Sequence, residues 1–227
     1  MNAILTQGLF AIFLFFNIFK GYSQKPISDI KYKEDQIYVS GTFHLISKLP
    51  SQIRQNRFSG GIHFGLIKDI PVNTSRNFAL GVGLGYSINN YNTNLRISSN
   101  NSEFGAVYTR IDIADYTNTF STQIIEFPFE FRWRTSTSQS YKFWRFYTGI
   151  KIGYLHAFKS IYEDATTYDV IKSPVGLQRW RVGATLSAGW NTFNIYAYYG
   201  LNPFFDTNLS EGSIFIPIKI GIMFYIL

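Results

Sequence analysis

The chain has 227 residues, 19% of them aromatic, with 22 Phe, 16 Tyr and no Cys. That excludes a disulfide framework, a thiolate metal site and a lipid-modified N-terminal Cys. The formal net charge of +7 is spread along the chain rather than clustered, which argues against a nucleic-acid surface.

Residues 1–23 read as a cleaved signal peptide. Residues 9–16 are an unbroken apolar run, too short to span a bilayer comfortably. Gly21, Tyr22 and Ser23 then offer small residues at the spacing of a cleavage site. No Lys or Arg precedes the run, so an uncleaved anchor helix is the competing reading. Residues 24–35 are polar and read as a periplasmic leader, and residues 36–227 form the remaining domain. No hydrophobic helix follows the signal. An exported chain that resides in a membrane must then cross it as strands.

Eight strand candidates follow. Side chains on a strand alternate sides, and here the two sides differ sharply. Residues 37–46 set Ile37, Val39, Phe43 and Leu45 against Tyr38, Ser40, Thr42 and His44. Residues 58–67 set Phe58, Ile62, Phe64 and Leu66 against Ser59, Gly61, His63 and Gly65. Residues 78–88 are the cleanest: Phe78, Leu80, Val82, Leu84, Tyr86 and Ile88 oppose Ala79, Gly81, Gly83, Gly85 and Ser87. A small side chain, such as Ser at Gly83, is expected to be tolerated on that second face.

The fourth strand, beginning near Thr119, contains TQIIEFPFEFRWR at 122–134. Ile125, Phe127, Phe129, Phe131 and Trp133 oppose Glu126, Glu130, Arg132 and Arg134. Strands over 144–158, 179–190, 193–199 and 214–226 complete the set. The last carries an unbroken stripe of alternate Ile and Phe from Ile214 to Ile226.

Three patterns turn the apolar faces toward lipid. Most candidates reach the roughly 9–11 tilted residues that cross hydrocarbon. The opposite faces hold Gly, Ser, Thr and charges, a poor lining for a soluble lipid carrier but a good filling for a narrow lumen. Connection lengths alternate: 69–77, 135–143 and 191–192 are short, 89–118, 159–178 and 200–213 are longer, and 47–57 is intermediate. Outer-membrane barrels have short periplasmic turns and long outer loops. The expected fold is therefore all-β, an eight-stranded antiparallel transmembrane β-barrel of the OmpA/OmpX-like meander type. Trp133, Trp144, Trp190, Phe193 and Tyr225 fall near the periplasmic ends. Tyr86, Tyr116, Phe120, Tyr154, Phe158, Trp180 and Tyr199 fall near the outer ends, where amphipathic rings favour the headgroup zone.

The segments IIEFPFEF at 124–131 and WRFYTGIKIGY at 144–154, with Tyr199-Gly200-Leu201 and the aromatic C-terminal strand, resemble the PorT-like outer-membrane β-barrel family. The resemblance covers nearly the whole mature chain. It implies an eight-stranded barrel inserted by the outer-membrane assembly machinery. The family's founding member is tied to protein secretion across the outer membrane, and nothing in these residues carries that role over.

The inward charges Glu126, Glu130, Arg132, Arg134, Arg145, Lys151, Arg181 and Lys219 are expected to fill the lumen as an ion-pair network, since eight strands leave room only for side chains. A turn centred near Ser138 brings Glu126 opposite Lys151 and Glu130 opposite Tyr147, with Arg145 a diagonal step from Glu130. His44 and His63 project inward with no third ligand on their strands, so they read as core histidines and no metal is expected. Gly81, Gly83 and Gly85 have a period of two and no following helix, so they are a small-residue face and not a phosphate loop. Asn73-Thr74-Ser75 matches a glycosylation sequon but falls in a periplasmic turn.

The expected function is that of a small integral outer-membrane protein, non-enzymatic and without cofactor, either structural or binding, or accessory to secretion or transport. Its partners would be outer-membrane lipid and lipopolysaccharide, the assembly machinery, and secretion or envelope proteins. The alternative is a lipid A deacylase-like enzyme with a rim-placed site, for which His156 with Ser160, Glu163 and Asp164 is the enzyme-like constellation.

Overall fold

Alternating side chains with a buried polar face decide the architecture. The computed structural model describes residues 35–49, 53–99, 106–111, 116–135, 143–172, 174, 176–205 and 215–226. Of the signal and leader expected over 1–35, residues 1–34 lie outside the described residues, as does Ile214. The strands are β1 (Gln36–Ser47), β2 (Gly60–Pro71), β3 (Phe78–Asn92), β4 (Leu95–Ser99), β5 (Ala106–Arg110), β6 (Thr117–Arg134), β7 (Trp144–Glu163), β8 (Tyr168–Lys172), β9 (Trp180–Trp190), β10 (Phe193–Gly200) and β11 (Ile216–Ile226). No helix occurs among the described residues.

Eight strands close a barrel. Each pairs antiparallel with the next in the order β1, β2, β3, β6, β7, β9, β10, β11, and β11 returns to β1. Closure leaves no edge within the membrane, which is what lets strands cross it. The short β8 pairs with the far end of β7, and β4 with β5 forms a separate hairpin. An ion pair between Arg96 and Asp169 ties that hairpin to β8, and the Arg96 guanidinium lies 4.0 Å from the centre of the Tyr162 ring.

The faces fall as the alternation requires. On β1, Tyr38, Ser40, Thr42 and His44 are buried, while Ile37, Val39, Phe43 and Leu45 are exposed. The same holds on β3, where Leu84 is 56% exposed and Ser87 fully buried. Exposed Leu, Ile and Phe in continuous rows would be a severe aggregation liability in water and suit only a lipid surroundings.

Aromatic pairs mark the limits of this apolar band. On the β7–β9 pair, Trp144 and Trp190 meet edge to face at 5.2 Å, and Tyr154 meets Trp180 the same way at 5.1 Å. A ten-residue step at a rise of about 3.3 Å, on a strand tilted about 40°, climbs about 25 Å, the height of the apolar band in such barrels.

Above that band the barrel continues. β6 is 18 residues long and β7 is 20, so part of the long connections expected over 89–118 and 159–178 is paired strand. Here β7 carries a bulge: Gln123 faces Ala157 while Ile124 faces Leu155, leaving His156 as the extra residue. The bulge flips the parity of β7, so Phe158, Ser160 and Tyr162 turn inward. Phe158, through the bulge, and Phe120, by the unbroken parity of β6, are not outer-girdle rings. Both are buried in a cluster with Tyr91, Ile97, Leu155, Phe204, Phe205 and Phe215. Tyr225, expected at the inner girdle, also faces inward at 1% exposure. Beyond β7 the turn is held by Asp164, which accepts the backbone N–H of Thr166 and of Thr167, each at 2.8 Å, and the Tyr162 hydroxyl. The Tyr162 hydroxyl, then these N–H groups, keep its carboxyl below the usual range.

Two boundaries differ from the sequence reading. β2 starts at Gly60, not Phe58, and runs on to Pro71, so Asp69 lies in a strand instead of a turn. The turn that follows is organised by Asn73, whose Oδ1 accepts the Phe78 N–H at 3.1 Å and whose carbonyl accepts the Arg76 N–H at 3.1 Å. The lumen-facing glycines are also tighter than expected. A Cβ on Gly83 would stand 2.4 Å from the Leu66 carbonyl oxygen, and one on Gly85 1.9 Å from the Tyr38 hydroxyl. Neighbouring strands and the Tyr38 ring occupy the space that a small side chain would need.

The filled lumen as candidate functional site

The lumen is packed in tiers. At one end Asp69, fully buried on β2, takes Arg134 on both oxygens, Nη1 to Oδ1 and Nη2 to Oδ2, each at 2.9 Å. Arg132 Nη1 reaches the same Oδ1 at 3.2 Å, and its Nε donates to Glu130 Oε2 at 3.0 Å. Parallel donation from a planar guanidinium to a carboxylate is the strong geometry for such pairs. The Arg132 guanidinium also lies 4.7 Å from the Tyr147 ring centre. Arg145 makes no ion pair among the described residues and lies 4.6 Å from the Phe143 ring instead.

The middle tier is built around Glu126. Its Oε2 accepts Lys151 Nζ at 2.7 Å, and its Oε1 lies 3.1 Å from His63 Nδ1. Lys151 is flanked by the rings of Tyr196 at 5.1 Å and Tyr38 at 5.6 Å. Thr42 Oγ1 bridges the two histidines, at 2.8 Å from His44 Nε2 and 2.9 Å from His63 Nε2. Among the described residues no three His, Cys, Asp or Glu gather as a metal site.

Higher up, Lys219 donates to Asn89 Oδ1 at 2.8 Å and faces the Tyr198 ring at 5.1 Å. Arg181 donates to the carbonyls of Asn202, at 2.8 Å, and Pro203, and lies 4.1 Å from the Phe204 ring. The aromatic cluster around Tyr91 and Phe120 closes over this tier, the two rings stacked at 4.8 Å. The charges expected in the lumen are all buried there. Among the described residues, ion pairs within this set join Glu126 with Lys151 and Glu130 with Arg132, and Arg134 pairs with Asp69. Arg181 donates to carbonyls and Lys219 to an amide, whereas Arg145 lies against the Phe143 ring with its buried Nε and Nη1 lacking a hydrogen-bond partner among the described residues.

The hairpin register also differs by two residues. Glu126 faces Gly153 and Lys151 faces Pro128, while Glu130 faces Gly149 and Arg132 faces Tyr147. Lys151 therefore reaches Glu126 diagonally, and Arg145 stands opposite Arg134, away from Glu130. Asp69 is the lumen residue that sequence reasoning missed. Its signal was present: it shares parity with His63, Gly65 and Ile67.

A family model described as outer membrane protein beta-barrel domain matches residues 22–206. The chain belongs to that family. Among curated proteins none matches the sequence. A solved structure, a mutant of the Rh. blastica porin, is similar over 86% of this chain and 100% of that chain, at 8% identity and a TM-score of 0.22. At that score the likeness adds nothing to the fold described above.

The rim constellation of this family barrel does not assemble as the sequence suggested. His156, at the bulge, points outward and lies 2.8 Å from the Tyr86 hydroxyl, which donates to Gln123 Oε1 at 2.7 Å. Ser160 is 3% exposed and faces the interior. Asp164 is engaged in its turn. Glu163 ends β7 opposite Tyr168.

Proposed function

We propose that the chain is a non-enzymatic outer-membrane barrel whose lumen is a structural filling and whose outer end does the binding, as an accessory to secretion or transport. One observation carries this: the tube is filled along its length by buried side chains, Arg132, Arg134, Tyr196 and Tyr225 among them, and is covered at one end by the aromatic cluster. An eight-stranded barrel filled in this way offers no water column for a solute to follow. Residues 1–23 would direct export and be removed. The end bearing β4, β5 and β8 would lie outside, in accord with the longer connections there. The β6 and β7 sequences favour the PorT-like group within the family, and through it a place beside secretion or envelope proteins. The opposite orientation of His156 and Ser160 favours this reading over a lipid A deacylase.

Proteoliposome swelling in small sugars tests the reading directly. Vesicles carrying the purified chain should swell no faster than empty ones, and porin-like swelling would overturn the filled lumen. Expression should also leave the lipid A acylation pattern unchanged. Loss of an acyl chain that depends on His156 would restore the enzyme reading.

A further inference from the structure

Lys159 on β7 and Lys172 on β8 are direct cross-strand partners. Residues opposite one another in an antiparallel pair share a face, and Phe158 and Ser160 on either side of Lys159 are buried. Both ammoniums therefore project outward, and both are exposed. Neither makes a hydrogen bond or ion pair among the described residues. Like charges placed directly opposite on a sheet repel and destabilise it. The pair is relieved when an anion sits between the two.

Their height suggests which anion. Allowing for the bulge, Lys159 stands four paired rungs beyond the Tyr154–Trp180 girdle, or about 10 Å along the membrane normal. The interfacial layer outside the hydrocarbon is about 5–8 Å deep on each side. A lysine stem covers the difference by reaching down along apolar surface while its ammonium stays in the polar zone. On the same face Ile161 and Val170 form the next rung outward and are apolar, while the groups beside and below the pair on β6 and β3 are polar. Ser121 stands beside Lys159 on β6, its Oγ 2.6 Å from Asn90 Oδ1. Just below sit His156, Tyr86 and Gln123, joined by hydrogen bonds. The carboxylates do not intervene: Asp169 is paired with Arg96, and Glu163 lies four residues further out.

We propose that Lys159 and Lys172 clamp the phosphate of a phosphorylated lipid headgroup in the outer leaflet, with Tyr86, Gln123 and His156 as the polar ledge beneath it. The inference rests on the reading that this end of the barrel faces outside. It extends that reading by naming a lipid site on it.

The test uses the full chain purified in a zwitterionic detergent and native mass spectrometry. The probes are dihexanoyl phosphatidic acid, dihexanoyl phosphatidylcholine and inorganic phosphate. Phosphatidic acid should bind, and the other two should not at equal concentration. Lys159→Ala with Lys172→Ala should weaken binding by roughly tenfold or more, as removal of two cations from an anionic surface implies. The double Arg variant should retain it. All variants should show the same heat-dependent gel migration, since both side chains are exposed. Unchanged affinity in the double Ala variant would overturn the clamp. Inorganic phosphate binding as tightly as the lipid would overturn a lipid site in favour of an ion site. Placement is read separately, by an impermeant maleimide on whole cells expressing Thr166→Cys. Absence of label there with binding intact in detergent would overturn the outer leaflet and keep the clamp.

Discussion

Lys151 grips Glu126 at 2.7 Å although the two residues are not opposite each other, because Lys151 stands across from Pro128. Proline has no N–H to give the ladder, and here it occupies the rung beside the lysine. The ion pair is thus diagonal, buried, and shared with His63 through the other carboxylate oxygen.

Breaking this pair from one side should be costly. Lys151→Met leaves Glu126 without its cation, and a lone buried charge costs about 3–5 kcal/mol. The temperature at which the barrel unfolds on a semi-native gel should fall for Lys151→Met and for Glu126→Gln alike. The double variant should regain much of the loss, and simple addition of the two losses would mean that they do not interact.

Asp69 should matter as much. Asp69→Asn leaves Arg132 and Arg134, both fully buried, short of one carboxylate charge. Its loss should also be of the order of 3–5 kcal/mol. The control is Lys68→Ala, which removes an ion pair to Asp35 whose two side chains are 62% and 51% exposed. Exposed pairs contribute about 0–1 kcal/mol, so the gel shift should be small. Equal shifts for the two variants would contradict the buried cluster.

The lumen-facing glycines are held close by the backbone of the neighbouring strands. Gly149→Ala brings a Cβ within 2.0 Å of the Phe129 carbonyl oxygen, and Gly83→Ser meets the Leu66 carbonyl. Both should slow or block assembly of the heat-modifiable form. Gly41, with nothing within 4 Å of an added Cβ, should accept Ala without effect.

Leu84→Arg tests the outer surface. The side chain is 56% exposed near the middle of the apolar band. A cation there should cost about 2–4 kcal/mol in a membrane and reduce the assembled fraction in vivo. Normal assembly would mean that this face does not meet lipid.

Orientation can be read with single cysteines, because the chain has none. Impermeant maleimide should label Thr166→Cys on intact cells and leave Ser75→Cys unlabelled until the cells are opened. Both positions are exposed. The reverse pattern would invert the barrel.

Alternation alone made the barrel and most of its lumen legible. Glu126 and Lys151 could be matched by parity because their strands keep strict period two through the membrane. Their register could not, since it depends on the turn before Trp144, whose geometry no residue pattern announces. Phe158 was unreadable for a different reason. A bulge at His156 inverts parity without leaving a mark in composition. Phe120 and Tyr225 were readable, since they share parity with Ile124 and Lys219, yet aromatics near strand ends suggested the girdle first. Asp69 was readable by parity with His63 and Gly65, but it fell in the connection expected over 69–77.

The bulge at His156 has a consequence for how the molecule meets two solvents. Below it, β6 and β7 turn greasy side chains out and polar ones in. Above it, Phe120 and Phe158 turn in while Gln123, Ser121 and Lys159 turn out. The upper storey therefore obeys the rule of an ordinary water-soluble protein, with its own oily centre. Bilayer thickness should govern the lower storey and leave the upper one untouched. Mutations that reshape what the protein displays outside could accumulate there without disturbing how it sits in the lipid.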